Sequence, residues 1–468
     1  FRFVFSVIIV FSPFAGDAAE GRRFSATKCA PERGFFRPMD QPIPFGVTRS
    51  FGQTTFLTTS PAQLTRHFYL LGQSGTGKST VLFNLALSLL RSGHGFAVFD
   101  PHGDLVERLL TTFPRSRTND LCLFRPFDLS FPIAFNILAS PDPSQKPLLV
   151  DHLVTLFQTL FGEAYWGPRS SYLLQNALWV LLSQPKPFSL AFLPKLLLDA
   201  SFRARLLKAV KDPFVLRFFR QEYESYRETY RQEVIAPLLN KVGLLLLNPS
   251  LRLSLGQVTN KVSARFLMDK GKVLLLDLSK GRLGREASQL LGGLWLIQFY
   301  LAALSRSDLP EGRRRPFFLL LDEVQSFVSV QSFEGLLSEG RKFGVGLVVA
   351  HQYLGQIPET ALGALLGNCA NLLVFRVSAP DAQRLVAELD RGYGVAVHPE
   401  DLLNLPDHAF YCRRWEGGRY LEPCYGQTLP PMGKRGDEQK KETLIAVSRR
   451  RFGTPAGRVR RWLGRKLR

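Results

Sequence analysis

A chain of 468 residues with 45% hydrophobic residues and a mean hydropathy near zero has the composition of about two or three globular domains. This composition excludes a disordered or fibrous protein. The formal net charge of +21 and the pI near 10 predict a polyanionic partner, either nucleic acid or an anionic membrane surface. A basic surface that serves only solubility is the alternative explanation of this charge.

The cysteines are scattered and show no C-x-x-C spacing, which argues against a structural zinc site or a disulfide framework. The five are Cys29, Cys122, Cys369, Cys412 and Cys424. Cys412 and Cys424 flank a predicted hairpin turn at Gly417-Gly418, and counting outward from this turn offsets them by one residue. We therefore expect them to face opposite sides of the hairpin, and we expect reduced thiols, as in a cytosolic protein.

The first 50 residues are rich in Pro, Gly, Phe and Arg and show little periodicity, so we expect them to be mostly irregular. Residues 3–11 are apolar, but Pro13 follows soon and the run is too short to span a bilayer. The run is either a signal-like segment or the stub of a membrane anchor. Residues 72–79 match G-x-x-x-x-G-K-[ST], a pattern typical of ATP-using enzymes, and because such an enzyme is not expected to be exported, the stub or a misassigned start is favoured. Gln53–Thr59 is predicted to be an edge strand.

The strongest motif, G-x-x-x-x-G-K-[ST], lies between two apolar runs. Phe68–Leu71 predicts a buried strand, and residues 81–90 predict a buried helix. Glycines allow successive backbone N–H groups to point at one phosphate, and the helix adds its positive N-terminal end. Lys78 is expected to reach the β- and γ-phosphates of ATP, and the Ser79 hydroxyl to ligate Mg²⁺. The predicted nucleotide-binding residues are Gly72, Gln73, Ser74, Gly75, Thr76, Gly77, Lys78, Ser79 and Thr80.

A second buried strand is predicted at Gly95–Asp100, and polar residues follow it. Ligands bind at the carboxyl ends of strands in open α/β sheets, so Asp100 and His102 are candidates to border the phosphate site. The alternative is a helix-capping turn in which Asp104 is a local acceptor. The sequence does not separate these two possibilities.

From residue 141 to about residue 268 the strand signals fade and helical spacing replaces them. Leu149, Leu153, Leu156 and Leu160 recur at i, i+4, i+7 and i+11. An aromatic stripe at Phe219, Tyr223, Tyr226 and Tyr230 is expected to be core packing rather than a base-stacking surface. Arginines between these rings are expected to form a solvated face. The segment therefore predicts an all-helical domain inserted into an α/β domain.

Strands resume at residues 272–277 and are followed by a long apolar helix over residues 286–305. The next strand, Phe317–Leu321, is entirely apolar and ends in Asp322-Glu323, which is the Walker B arrangement. Asp322 is expected to hold the Mg²⁺ shell, and Glu323 to orient and deprotonate the attacking water. Buried strands that end in acids are common, but the phosphate-loop motif upstream makes this one specific.

The last part of the α/β region alternates helices and strands. A helix is predicted over residues 333–343, a strand over 345–350, a strand over 371–377 that contains Arg376, and a helix over 381–389. Gln352, after the first of these two strands, is a candidate sensor of the γ-phosphate. Because strands and helices alternate on both sides of the helical segment, we expect a mostly parallel sheet.

A terminal hairpin is predicted from residues 409–415 and 419–425, and a basic tail follows it. Residues 434–468 contain thirteen Lys or Arg against three Asp or Glu. We expect this tail to be mobile and to bind anions without specificity.

With these segments placed, the chain resembles the FtsK/HerA-type motor ATPases, and most of all the conjugative coupling proteins of type IV secretion systems, the TraG/TraD class. The stretches that carry the resemblance are HFYLLGQSGTGKST, VFDPHGDL, YWGPRSSYLLQNAL, LLLDEVQSF, LSEGRKFGVGLVVAHQ and NLLVFRVSAPDA. The resemblance covers about residues 50–430. It implies a RecA-like α/β P-loop fold, a helical insert between the second and third core strands, and a ring-shaped homo-hexamer with DNA in its pore.

The resemblance also implies residue roles. Lys78 and Ser79 resemble the phosphate-loop pair, and Asp322 and Glu323 resemble the Mg²⁺ aspartate and the catalytic glutamate. Gln352 resembles the sensor glutamine. Arg341, in EGRKFG, resembles an arginine finger supplied to the neighbouring subunit, and Arg376 is the second candidate for that role. A surface ion pair is the alternative for either arginine.

We divide the chain into an irregular segment (1–50), the first part of the ATPase domain (51–140), the helical insert (141–270), the second part of the ATPase domain (271–430) and the basic tail (431–468). Coupling proteins usually carry N-terminal membrane helices, and this chain shows at most a stub, so a soluble relative is also considered. The expected location is cytoplasmic, with peripheral contact to the inner membrane or an anchor in it as the alternative.

The first functional hypothesis is an ATP-dependent DNA translocase that pumps DNA in conjugative transfer, with ATP and Mg²⁺ at the site. The second is a HerA-like helicase or translocase in repair or defence. The third is a substrate-receptor module that recruits a relaxase or secretion-channel proteins and uses ATP only for assembly. Intact Glu323 and Gln352 argue against the third, because a scaffold has no need of them.

Overall fold

The computed structural model describes residues 42–50, 52–139, 142–162, 166–327, 331–390, 397–433 and 436–467. The apolar run at residues 3–11, Cys29 and most of the predicted irregular segment lie outside the described residues. Residues 43–50 do not follow the prediction of irregular chain, because they form a strand paired with the predicted edge strand.

Most strands of the described chain join one large sheet. The strands are β1 (Ile43–Ser50), β2 (Gln53–Thr59), β3 (Phe68–Leu71), β4 (Gly95–Asp100), β5 (Leu121–Phe124), β6 (Val273–Asp277), β7 (Phe317–Leu321), β8 (Val345–His351), β9 (Asn371–Val374), β10 (Ala409–Arg413), β11 (Trp415–Glu416), β12 (Arg419–Tyr420) and β13 (Cys424–Thr428). The order in the sheet is β2-β1-β13-β10-β9-β3-β8-β7-β4-β6-β5, and β11 and β12 pair separately.

The sheet has a parallel part and an antiparallel part. From β9 to β5 every neighbouring pair is parallel, which confirms the prediction of a mostly parallel α/β sheet. The strands β10, β13, β1 and β2 extend it with antiparallel pairs. In a parallel array the carboxyl ends of the strands lie at one edge, and the site residues are gathered there.

Helices cover both faces of the sheet. They are α1 (Pro61–Leu64), α2 (Lys78–Arg91), α3 (Asp104–Thr112), α4 (Lys146–Phe161), α5 (Pro168–Leu182), α6 (Leu193–Leu198), α7 (Ala200–Leu207), α8 (Pro213–Arg217), α9 (Glu228–Leu247), α10 (Pro249–Leu255), α11 (Ala264–Lys270), α12 (Lys280–Leu283), α13 (Arg285–Ser305), α14 (Gln331–Glu339), α15 (Glu359–Asn368), α16 (Ala379–Asp390), α17 (Pro399–Leu403), α18 (Glu438–Phe452) and α19 (Ala456–Lys466).

Alternate residues of each strand belong to different cores. Phe68 and Leu70 of β3 pack with α2, α3 and Leu444 of α18 on one face. Tyr69 and Leu71 pack on the other face with α13 and with the helices between β5 and β6. Because both faces are covered, the central strands are continuous apolar runs, which is why the sequence shows them clearly.

The secondary-structure elements that the described residues form between β5 and β6 are helices, and they share one core with a face of the sheet. The expected position of this helical segment, between the second and third core strands, is wrong by one strand. Leu121–Phe124 forms a strand that the sequence analysis did not predict, so the segment follows the third parallel strand. A strand of four residues is too short to show a clear apolar pattern in the sequence, so β5 was not predicted.

One helix of the described chain, Arg285–Asp308, is long and apolar enough to cross a membrane by length and composition. Its apolar window is 78% buried inside the fold. Packing of α13 against the sheet and against α4 and α14 explains its apolar composition.

The expectation that Cys412 and Cys424 face opposite sides is wrong. Cys412 of β10 lies directly opposite Cys424 of β13. Near the turn, Trp415 pairs with Tyr420, a register that would place Cys412 opposite Pro423. One extra residue in the returning strand shifts the pairing, at a position where proline has no N–H for the ladder.

The prediction of a mobile tail is also wrong for the described residues. Residues 438–452 and 456–466 form α18 and α19, and both helices pack on the fold. Leu444 is buried against α3 and β5, while Val459 and Leu463 are buried against Leu253 of α10. The i, i+4 spacing of Val459 and Leu463 indicates this docking face, but the surrounding arginines obscured it.

Candidate functional site

The phosphate-binding loop connects β3 to α2 and is fixed by close backbone packing. Gly77 precedes α2 with φ of 116°, in the region that favours glycine. A Cβ at Gly77 would lie 3.0 Å from Nδ1 of His408, and one at Gly72 would lie 2.5 Å from Cβ of Phe375. Packing leaves no room for a side chain at Gly72, and the backbone conformation of Gly77 is one that other residues rarely adopt, so both glycines of the motif are required.

The terminal hairpin supports the loop from outside. The His408 N–H donates to the Thr76 carbonyl at 3.0 Å, and the Thr428 N–H donates to the His408 carbonyl at 2.8 Å. The buried Thr76 hydroxyl donates to the Gln73 carbonyl at 2.7 Å. The sequence analysis did not find His408, because its contact with the loop depends on a distant strand.

Lys78 folds back over its own loop. Its Nζ donates to the carbonyl oxygens of Gly72 at 2.6 Å and Gln73 at 2.8 Å, and the side chain is buried. Burial lowers the pKa of Lys78, while the carboxylates of Asp322 and Glu323 act in the opposite direction. The ammonium group is therefore held at the loop, where it could donate a hydrogen bond to a bound phosphate.

Ser79 and Asp322 face each other across the site, as a magnesium site requires. The Ser79 hydroxyl donates to Oδ2 of Asp322 at 3.5 Å. Burial, followed by the charges of Asp100 and Glu323, raises the pKa of Asp322 to about 6. A divalent cation at this position would be held by Ser79 and Asp322, two hard oxygen ligands, and would relieve the repulsion between the carboxylates.

Glu323 follows Asp322 and is held by two amide groups. Its backbone is left-handed, with φ of 49°, a sparsely populated conformation for a residue other than glycine. Nε2 of Gln352, directly after β8, donates to Oε1 of Glu323 at 2.8 Å. Nε2 of Gln325 donates to Oε2 of the same carboxylate. The structure therefore brings the predicted sensor glutamine and the predicted base into contact.

Gln325 and Lys280 are site residues that the sequence analysis missed. Gln325 lies in the short turn after Glu323, and its Oε1 is buried without a hydrogen-bond partner. Lys280 follows β6, and its N–H donates to the Pro101 carbonyl at 2.9 Å. Burial lowers the pKa of Lys280, and Glu323 and Asp322 oppose this shift, so its ammonium group acts on both carboxylates. Lys280 could have been predicted from its position shortly after the carboxyl end of a central strand, where ligands bind in α/β sheets.

Asp100 is a capping residue that also affects the site. Its buried carboxylate accepts hydrogen bonds from the N–H groups of His102, Gly103 and Val106 at 2.8–2.9 Å. The alternative of a helix-capping turn is therefore correct, although Asp100 rather than Asp104 is the acceptor. The His102 ring is exposed. The charge of Asp100 nevertheless contributes to the raised pKa of Asp322.

The two candidate arginines lie at opposite ends of the parallel strands, Arg376 at the carboxyl ends and Arg341 at the amino ends. Arg376 follows β9, which ends earlier than predicted, and its Nε donates to Oε1 of Gln73 at 3.3 Å. It also pairs with Asp407 at 2.8 Å, so it borders the phosphate loop of its own chain.

Arg341 lies in the turn before β8, at the edge where the parallel strands begin. Burial lowers the pKa of His67 to about 4; the hydrogen bond to the Leu337 carbonyl opposes this shift, and the charge of Arg341, which therefore lies near the start of β3, adds to it. The seven residues of β8 separate Arg341 from its own phosphate loop by about 20 Å.

The comparisons with known proteins agree with this architecture. A family model described as the type IV secretion-system coupling protein DNA-binding domain matches residues 54–390. A bacterial conjugative coupling protein, TrwBdeltaN70 in an unbound monoclinic form, is similar with a TM-score of 0.59 and 19% identity, over 84% of this chain and 90% of that chain. No curated protein matches the chain in sequence.

Two further solved structures share the fold. The plasmid coupling protein TrwB in complex with ADP and Mg²⁺ has a TM-score of 0.55 and 20% identity, over 80% of this chain and 87% of that chain. VirB4 of Thermoanaerobacter pseudethanolicus has a TM-score of 0.53 and 14% identity, over 83% and 96%. The expected α/β P-loop fold with a mostly parallel sheet is confirmed.

The raised pKa of Asp322 predicts a pH-dependent magnesium effect. Mg²⁺ requires the ionised carboxylate, so the Mg²⁺-dependent gain in nucleotide affinity should fall about tenfold per pH unit below pH 6 and be constant above it. Asp322→Asn should abolish the gain at every pH. It should not lower the melting temperature at pH 7.5, because a buried charge whose folded-state pKa is raised destabilises the fold above that pKa.

Titration of a fluorescent ATP analogue between pH 5 and 8, with and without Mg²⁺, measures this effect. Asp104→Asn is the matched control, since Asp104 is an exposed carboxylate near the same sheet edge. An unchanged Mg²⁺ gain in Asp322→Asn would contradict the assignment.

Gln325→Ala removes one of the two amide donors that hold Glu323. A hydrogen bond to a charged group contributes about 1.5–3 kcal/mol, so kcat for ATP hydrolysis should fall about tenfold to a hundredfold while KM changes little. Steady-state kinetics measures both constants, with the exposed Gln331→Ala as control. An effect on KM alone would show that Gln325 does not position the glutamate.

Proposed function

The chain belongs to the family of type IV secretion-system coupling proteins, and from this membership we propose that it is the ATP-driven motor that moves DNA in conjugative transfer. One observation carries the ATPase assignment. The phosphate loop, the Mg²⁺ aspartate, the glutamate base and the sensor glutamine lie together at the carboxyl edge of one parallel sheet.

The geometry supports a mechanism for hydrolysis. The N–H groups of the loop and Lys78 would hold the β- and γ-phosphates. Ser79 and Asp322 would hold a bound Mg²⁺, which would supply positive charge to the phosphate oxygens. Glu323 accepts a proton from a water molecule as the water oxygen attacks the γ-phosphorus and the bond to the bridging oxygen breaks.

The contact between Gln352 and Glu323 supports a role for Gln352 in that step. The amide can hold the glutamate while it also approaches the γ-phosphate. Gln325 retains the other carboxylate oxygen, so the base keeps its orientation when Gln352 moves.

The place of Arg341 supports an assembly in which ATP is bound between subunits. A residue about 20 Å from its own phosphate loop can act on ATP only when another copy presents it. Arg341 at the opposite edge of the sheet fits the trans arginine finger of a ring-shaped homo-hexamer. Such a finger accelerates related phosphoryl transfers by several powers of ten.

DNA is the partner to which the family description and the charge of the chain point together. Movement along the phosphate backbone carries little sequence information, so DNA binding should be sensitive to salt and largely independent of sequence. A relaxase or secretion-channel protein would deliver the DNA, and the motor would act at the cytoplasmic side of the inner membrane.

ATP hydrolysis by the purified chain, with and without single- or double-stranded DNA across a salt series, tests the proposed function. We expect DNA to stimulate hydrolysis severalfold, the stimulation to fade as salt rises, and Glu323→Gln to bind ATP without hydrolysing it. Hydrolysis that is indifferent to DNA would contradict the motor and favour a protein-handling ATPase.

Two other results separate the related hypotheses. Transfer of DNA in cells that carry Glu323→Gln would support a substrate-receptor module, because such a module needs no hydrolysis. Stimulation only by duplex ends, together with a requirement for a nuclease partner, would favour a HerA-like role in repair or defence.

A further inference from the structure

The antiparallel part of the sheet places two cysteines in contact. Cys412 of β10 and Cys424 of β13 are directly opposite in the register, and their Sγ atoms are 3.1 Å apart. Directly opposite residues of an antiparallel pair have Cα atoms about 4.5–5.5 Å apart. That spacing lies within the range of about 4.4–6.8 Å found in disulfides, so a bond between the two sulfurs requires little backbone movement.

The two thiols differ in access and acidity. Cys424 is partly exposed, and Cys412 is fully buried beneath it. The hydrogen bond from the Cys412 thiol, and then the charge and hydrogen bond of Arg414, lower the pKa of Cys424 to about 7. The same hydrogen bond, with burial, raises the pKa of Cys412. Cys424 is therefore the thiol that an oxidant meets as a thiolate, and Cys412 is the thiol beside it that can resolve the product.

The other described cysteines lack these properties. Cys122 and Cys369 are buried, and burial raises the pKa of both thiols, that of Cys369 to about 12. Buried thiols with a raised pKa react slowly with oxidants. Reactivity toward a mild oxidant should therefore be confined to the pair in the described chain.

We propose that Cys412 and Cys424 form an oxidative modification site, in which hydrogen peroxide converts the two thiols into an intrachain disulfide. The Cys424 thiolate attacks one peroxide oxygen, the O–O bond breaks, and after protonation Cys424 is a sulfenic acid and water has left. The Cys412 sulfur then attacks the Cys424 sulfur, the S–O bond breaks, and a second water leaves with the Cys412 proton. The thiols lose two electrons, and hydrogen peroxide is reduced to two molecules of water.

The site is linked to the phosphate loop by the strands that carry it. The residue before β10 is His408, whose N–H bonds to Thr76 of the loop, and β13 ends at Thr428, whose N–H bonds to His408. A disulfide would join these two strands covalently at the ends away from the loop. The oxidised chain should therefore unfold at a higher temperature, by a few degrees, than the reduced chain.

Peroxide titration of the full reduced chain, followed by alkylation and mass spectrometry, tests the site. We expect a loss of two mass units at low peroxide, a cross-linked pair of peptides that contain Cys412 and Cys424, and reversal by dithiothreitol. Cys412→Ser should accumulate a sulfenic acid on Cys424 that dimedone traps, and Cys424→Ser should leave Cys412 reduced at the same dose. Cys122→Ser is the control and should behave as the unsubstituted chain does.

Three results would overturn the proposal. One is uniform oxidation of all cysteines, and another is a disulfide that uses Cys29 or a second chain. The third is no mass change below the peroxide dose that oxidises methionine. Peptide mapping of the unsubstituted chain distinguishes these results from the expected disulfide even if a serine variant fails to fold.

Discussion

The parallel register of β3, β8 and β7 is the constraint on which the site depends. Leu71 pairs with His351, and Leu321 pairs with Val349, so the three strands reach one edge of the sheet nearly together. The residues that follow the strands are the phosphate loop, Gln352 and Asp322. A shift of one strand by one residue would exchange its two faces and move its polar end out of the site.

The site gathers like charges and pairs its polar groups with one another. Asp322 is buried near Asp100 and Glu323, and its pKa is raised for that reason. Lys78 bonds to carbonyls of its own loop, and Glu323 is occupied by two amides. A bound Mg²⁺ would neutralise the charge of the carboxylates, and the phosphates of a bound nucleotide would accept hydrogen bonds from Lys78.

The sequence predicted the parts of the fold that follow from local pattern. Strands β3, β4, β6 and β7 are apolar runs because both of their faces are covered, and the Walker B acids follow one of them. The four-residue β5 and the docked helices α18 and α19 escaped prediction, since short strands and dense arginines weaken periodicity. Gln325, Lys280 and the pairing of Cys412 with Cys424 depend on turns and register shifts, which composition and spacing do not specify.

Asp322 and Glu323 of one chain and Arg341 of another copy are proposed to form one catalytic site. Mixing Arg341→Ala subunits with Lys78→Ala subunits and measuring ATP hydrolysis decides whether they do. Each variant alone should be inactive, and a random equal mixture should regain activity, because about a quarter of its interfaces combine an intact loop with an intact arginine. A mixture as inactive as its parents, or full activity of Arg341→Ala alone, would show that Arg341 does not act across the subunit interface.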